Sequence, residues 1–154
     1  MIHFIFHLKK AATLYKACFF KIYVQQKGHL MSDALNIGKQ LVQYCQQGKN
    51  MEAIETLYDQ NIVSVEAMEM PQMGRQQEGI EAIKAKNEWW LNAHEVHSAQ
   101  ITGPFPNGER FAVNFNYDIS NKETGQRTQM SEVGLYTIEN GKITREEYFY
   151  PTEG

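Results

Sequence analysis

Apolar residues recur with two different periods along the chain, and the points where one period gives way to the other mark its elements. Ala34, Ile37, Leu41, Tyr44 and Cys45 fall at offsets 0, 3, 7, 10 and 11, the stripe of an amphipathic helix. Ser32 or Asp33 is placed to cap that helix and Gly48 to end it. A second, shorter stripe of Met51, Ile54, Leu57 and Tyr58 follows Asn50 as its expected cap, and Asp59 to Asn61 are expected to break it. From Ile62 to Met68 the period drops to two, with Ile62, Ser64, Glu66 and Met68 on one face and Val63, Val65 and Ala67 on the other, as in a strand. Glu69 to Glu78, rich in Met, Pro, Gln and Gly, reads as a loop. Helical spacing returns from about Gly79 to Asn92, where Ile80, Ile83, Asn87, Trp90 and Leu91 repeat the offsets of the first helix. Strands are then predicted over 95–102, 110–121, 126–139 and 142–151. Gly103 to Gly108, Thr124-Gly125 and the strong hairpin signal Asn140-Gly141 separate them.

The order helix, helix, strand, helix, then four strands joined by short turns is an α+β pattern. The expected architecture is a curved antiparallel sheet wrapped around three helices, with a pocket for a small molecule at its open end. In the strand 110–121, Phe111, Val113, Phe115 and Tyr117 alternate with Ala112, Asn114, Asn116 and Asp118. Either the aromatic face is buried and the amides face solvent, or the amides face the cavity and the aromatic face needs a partner.

Composition adds limits. At 154 residues, 42% apolar and 21% charged, the chain is one ordinary globular domain with room for a core. Its formal charge of −3 is unevenly spread: residues 1–31 hold five lysines and no acid, leaving ten bases against eighteen acids, a net −8, for residues 32–154. An acidic domain argues against nucleic acid as a partner. Residues 1–30 lack a signal-peptide cleavage site and are too interrupted by lysine to span a bilayer. Three readings of this basic extension stay open. It is a helix on a membrane surface, with Phe4, Leu8, Ala12, Tyr15 and Phe19 on one face; or a loose extension; or a stretch upstream of a native start at Met31-Ser32-Asp33. Lys27-Gly28 can be encoded by a purine-rich ribosome-binding sequence, which favours the third reading and a domain of residues 31–154.

Cys18 and Cys45 stand alone in apolar helical contexts, so no disulfide framework is implied and a reducing cytoplasm is the natural setting. Glycine-rich phosphate loops and serine elbows are absent, and no cofactor is expected. His94 and His97, three apart on a strand, point to opposite faces, so no metal site is expected either.

A family resemblance rests on several stretches in order. Tyr58 closes helix two before a strand, Gly79-Ile80-Glu81-Ala82-Ile83 opens helix three, and Asn140-Gly141-Lys142-Ile143 precedes the aromatic strand Tyr148-Phe149-Tyr150. Over about residues 33–151 this pattern resembles the nuclear transport factor 2-like (NTF2-like) superfamily, and within it the SnoaL-like and ketosteroid-isomerase-like bacterial members. The resemblance implies a cone-shaped α+β barrel with an internal cavity, often dimeric through the outer sheet face.

Ketosteroid isomerase uses an Asp base with a Tyr and a protonated Asp as oxyanion hole. In that family the base lies eight residues after the tyrosine closing helix two, and eight from Tyr58 is Glu66. Partial desolvation would raise its proton affinity and suit it to accept a proton. The protonated Asp falls on Val133, and only a bulge would bring Glu132 there. The helix-one tyrosine falls near Leu41 or Val42, so steroid isomerisation itself is not implied. The same alignment places Asn87, Asn114, Asn116 and Glu146 inward, a more polar cavity than a steroid pocket. With Tyr58, Trp90, Glu132 and Tyr150 they form the candidate ligand-binding set, although such groups equally satisfy one another and ordered water. Trp89, adjacent to Trp90, is left for a lid or interface.

Two functional readings follow. One is a cofactor-independent acid-base enzyme, of isomerase, cyclase, hydratase or hydrolase type, with Glu66 as proton acceptor on a small organic molecule. The other is a non-catalytic ligand-binding module or dimeric interaction scaffold of the same fold.

Overall fold

The structure, a computed structural model, describes residues 33–152; the basic extension 1–30 and the proposed Ser32 cap lie outside the described residues. Helix α1 covers 33–46. It ends at Gly48, whose φ of 69° lies in the left-handed region, while the Lys49 amide donates to the Tyr44 carbonyl at 2.9 Å, a glycine stop of the usual kind. Helix α2 is Asn50–Leu57. Asn50 does not cap it: Lys49 holds the cap position without a side-chain bond, and Asn50 is the first helical residue, its Oδ1 buried without a partner.

The chain passes directly into β1 (Tyr58–Met70), so Asp59 to Asn61 are strand residues rather than a break. Tyr58 already pairs with Ile143 of the last strand, and that tertiary ladder overrides local turn chemistry. The expected loop after β1 holds a short strand, β2 (Gly74–Glu78), paired antiparallel to it. Helix α3 (Ile80–Ala93), β3 (His94–Asn107), β4 (Arg110–Asn121), β5 (Arg127–Glu139) and β6 (Lys142–Phe149) follow. Strand β3 runs through Pro104 and Pro106, where a turn is expected. It is an edge strand, where proline is tolerated, and a register shift between Thr102 and Phe105 absorbs the irregularity.

The six strands form one sheet in the order β2-β1-β6-β5-β4-β3. It is not antiparallel throughout: β1 and β6 run parallel, joined by a connection long enough for that crossover. Between β5 and β6 the hairpin Asn140-Gly141 has positive φ at both residues, 50° and 74°, as a two-residue turn of matching twist requires.

The core lies between the helices and the concave sheet face. Ile37, Leu41, Ile54, Leu57 and Ile83 meet Ile62, Phe111, Val113, Phe115, Tyr136 and Ile143. The ambiguity in β4 is thereby resolved: Phe111, Val113 and Phe115 point inward. Asn114 and Asn116 are on the opposite face, where the Asn116 amide donates to Asn114 at 2.6 Å. Their inward placement is corrected, because on a two-period strand the larger apolar set takes the buried face. Where α1 crosses β3, a Cβ on Gly38 would stand 2.6 Å from Pro104 Cβ, so glycine allows the close approach. Among the described residues no helix is long and apolar enough to cross a membrane.

Candidate active site

A cavity of about 1020 Å³ opens between α1–α3 and the inner sheet face. Alternation along β1 delivers Ile62, Ser64 and Glu66 to its side of the sheet, all three buried, as the two-residue period requires. On β6, Glu146 lies opposite Ser64 in the parallel ladder and is 1% exposed. From α3 comes Lys86, three residues after the core residue Ile83 and thus on the same helix face.

The Lys86 ammonium sits at the centre of what these elements assemble. It donates to Glu66 Oε1 at 2.8 Å, to Glu146 Oε1 at 3.0 Å and to the Ser64 hydroxyl, which uses its three hydrogens. Glu146 Oε2 accepts from the Tyr58 and Tyr148 hydroxyls at 2.8 and 3.1 Å, and Glu66 Oε2 accepts from Tyr150 at 3.1 Å. Burial opposes the charge of Glu146, but Lys86 and the hydroxyls of Ser64 and Tyr58 outweigh it and hold the carboxyl below its ordinary range. Burial likewise opposes the charge on Lys86, and the two carboxylates more than restore it, so its affinity for the proton is raised. Burial and the Glu146 charge push Tyr58, Tyr136 and Tyr148 well up, keeping them as donors. For the same two reasons the Cys45 thiol is pushed up to about 12, which leaves it inert.

Glu132 differs from the other two acids. It lines the cavity from β5, and its carboxyl has no hydrogen-bond partner among the described residues. Burial, together with the nearby charges of Glu66 and Glu146 and against that of Lys86, pushes its carboxyl up to about 7. No bulge is needed to bring it in. Strand β5 keeps unbroken register with β4, pairing Phe115 with Glu132 and Asn114 with Val133, so Glu132 shares the inward face of Phe115 and Val133 faces out. Two positions on, Gly134 leaves room for the Tyr136 ring: an added Cβ would lie 2.8 Å from that ring and its hydroxyl. Tyr136 OH is 3.3 Å from Tyr148 OH, which extends the network.

Of the residues predicted from sequence, Tyr58, Glu66, Asn87, Trp90, Glu132, Glu146 and Tyr150 line the cavity; Asn114 and Asn116 do not. Trp90 packs on Tyr117 and His94, with ring centroids 5.4 and 5.0 Å apart, and forms the aromatic wall. His94 donates from Nδ1 to the Trp90 carbonyl at 3.0 Å, whereas His97 bonds Ser120. Among the described residues no group of three His, Cys, Asp or Glu side chains is arranged to hold a metal ion. Sequence reasoning passed over Lys86, Tyr136 and Tyr148. The first was within reach, since Ile83, Lys86, Asn87 and Trp90 have the i, i+3, i+4, i+7 spacing of one face.

The order of elements and the enclosed cavity define an NTF2-like fold. It is shared with an NTF2-like protein from Burkholderia xenovorans at 15% identity and a TM-score of 0.62, covering 79% of this chain and 92% of that one. A provisionally assigned isomerase from Bacillus subtilis has the same fold at 18% identity and a TM-score of 0.63, covering 79% and 88%. Nearer in sequence is a protein of Mesorhizobium loti, provisionally assigned as a SnoaL-like polyketide cyclase [carbohydrate phosphatase], 43% identical, with a TM-score of 0.70 and coverage of 75% of this chain and 97% of that one. Residues 32–150 match the SnoaL-like domain family, and the chain belongs to it. No curated protein matches the chain.

Proposed function

We propose that the cavity binds a small organic molecule and moves a proton on it without a cofactor, in an isomerase- or cyclase-type step. Glu66 takes the proton from carbon, and Glu132, protonated near neutrality, polarises the oxygen on which negative charge develops. The observation that carries this reading is the contrast between two inward carboxylates. Glu66 is held by Lys86 and Tyr150; Glu132 has no such donors and its proton affinity is raised to about 7. A carboxylate paired with a cation beside a second carboxyl that lacks such donors can serve as base and acid in one site. The polyketide-cyclase assignment of the Mesorhizobium loti relative is consistent with such chemistry at an acidic C–H.

Proton–deuterium exchange at the α-carbon of a panel of ketones and 1,3-dicarbonyl compounds, followed by NMR, tests the assignment. Glu66→Gln is expected to lower the exchange rate by about 10²–10⁴-fold, the usual contribution of a general base. Because Glu132 acts while protonated, the wild-type rate should fall as pH rises through about 7, and Glu132→Gln should abolish that limb. A second reading, a binding module, is favoured by the completeness of the Tyr58–Glu146–Lys86–Ser64–Glu66 network. It prevails if the compounds raise the melting temperature and none exchanges.

A further inference from the structure

The cavity discriminates by charge, and its lining points to the sign. Among the described residues Lys86 is the only lysine or arginine lining the cavity, and its three hydrogens are already donated to Ser64, Glu66 and Glu146. No lysine or arginine hydrogen in that lining is left for a ligand's carboxylate or phosphate, and the imidazole of His94, which also lines the cavity, is bonded through Nδ1 to the Trp90 carbonyl. Against that one ammonium stand Glu66, Glu132 and Glu146, a net charge of −1 with Glu132 protonated and −2 with it ionised, as at pH 8, and Glu69 adds a further acid to the lining. An entering anion would meet uncompensated like charge in a partly desolvated space, where such repulsion is far less screened than in water.

The walls suit the opposite charge. Trp90 and Tyr117, their ring centroids 5.4 Å apart and their planes tilted by 52°, line the cavity together with Tyr148. Tyr148 already holds the Lys86 ammonium 4.6 Å from its ring centroid, so the site uses aromatic faces to hold positive charge. Two further polar atoms, Asn50 Oδ1 and Asn87 Nδ2, are buried without partners on residues of the same lining, one acceptor and one donor. From these features we propose that the substrate class is an organic cation, an amine or ammonium group carried on an aromatic or apolar body. Its charge lies between Glu132 and the Trp90–Tyr117 wall. This rests on the reading of the cavity as a small-molecule site and adds the electrical character of what enters it.

Three ligands with one body make the test: 2-phenylethylamine, 2-phenylethanol and 3-phenylpropionate, titrated into the full chain by calorimetry at pH 8 and low salt. The amine is expected to bind about tenfold more tightly than the alcohol, a difference of about 1.4 kcal/mol; the carboxylate should bind at least about tenfold more weakly than the alcohol. Glu132→Gln should cut the amine's advantage over the alcohol to about threefold; Trp90→Leu should weaken the amine more than the alcohol. Equal binding of amine and alcohol, or carboxylate binding as tight as either, overturns the charge proposal and leaves the cavity reading standing. Failure of all three to bind overturns the cavity reading and the proposal with it. Binding of the amine with no exchange on any ketone leaves the proposal intact and removes the catalytic assignment.

Discussion

Lys86 shows how much one side chain can hold. Its ammonium pairs with two inward carboxylates, one of them, Glu146, almost wholly enclosed. Removing it leaves a buried charge uncompensated, which typically costs about 3–5 kcal/mol. Lys86→Met is expected to lose that much stability at neutral pH by chemical denaturation, and Lys86→Met with Glu146→Gln to recover most of it. A loss under about 1 kcal/mol would show the network to be incidental. The pH dependence has a definite sign. Glu146, depressed in the folded state, contributes stability above its ordinary carboxyl range, lost as pH falls through the folded value. Lys86, raised, contributes below its ordinary value of 10.5, lost as pH rises through the folded one. Both contributions are therefore in place across neutrality.

Legibility at this scale was uneven. Glu66 could be found from strand alternation and its spacing from Tyr58, both properties of one short stretch. Glu132 was visible only as a neighbour of Val133, because the count back from Gly141 lands one residue off the inward set Glu132, Gly134, Tyr136 and Ile138, which alternates along β5 without a break. Lys86 escaped notice because a lysine on a helix normally turns its head to water. What buries it are Ser64, Glu66 and Glu146 on other elements, and no local pattern reports them.

At the scale of elements, periodicity found all three helices and five of the six strands, and it failed where pairing rather than patterning makes the strand. Strand β2, GRQQE, has no apolar alternation; it exists because its backbone completes the β1 ladder, and Gln77 is the residue it buries. Gly134 is the counterpart inside a well-predicted strand, a gap in β5 that the Tyr136 ring fills. Gly134→Ala should force that ring and its contact with Tyr148 to shift, at a cost of about 1–3 kcal/mol, typical of overpacking. Thermal melting with near-ultraviolet circular dichroism of the tyrosines would register both effects, and an unchanged spectrum would show that the ring does not depend on the glycine.

For the whole molecule, the α+β class, the sheet wrapped on helices and the family were all readable from the order of elements; the parallel contact of first and last long strands was not. The outer sheet face carries a band of Ala112, Leu135, Asn114, Val133 and Phe149 in direct register across β4, β5 and β6. Val133 is 37% and Phe149 55% exposed. We propose that a second copy of the chain covers this band, since exposed apolar side chains clustered on a sheet face mark an interaction surface. Sedimentation at micromolar concentration is expected to give a dimer for the wild type and a monomer for Phe149→Glu; a monomeric wild type removes the proposal.

The parallel seam between β1 and β6 has a consequence in time as well as space. Tyr58 and Glu146 are 88 positions apart, Glu66 and Tyr150 84, and Lys86 and Glu146 60. Contacts between such distant partners form only after large loops have closed, which slows folding. During synthesis β1 and α3 leave the ribosome long before the strand that completes them, carrying Lys86 and Glu66 with no Glu146 to meet. The cavity's electrostatic centre is thus the last part of the domain to be built, and a nascent chain ending at residue 141 would hold most of the fold's residues and none of its finished chemistry.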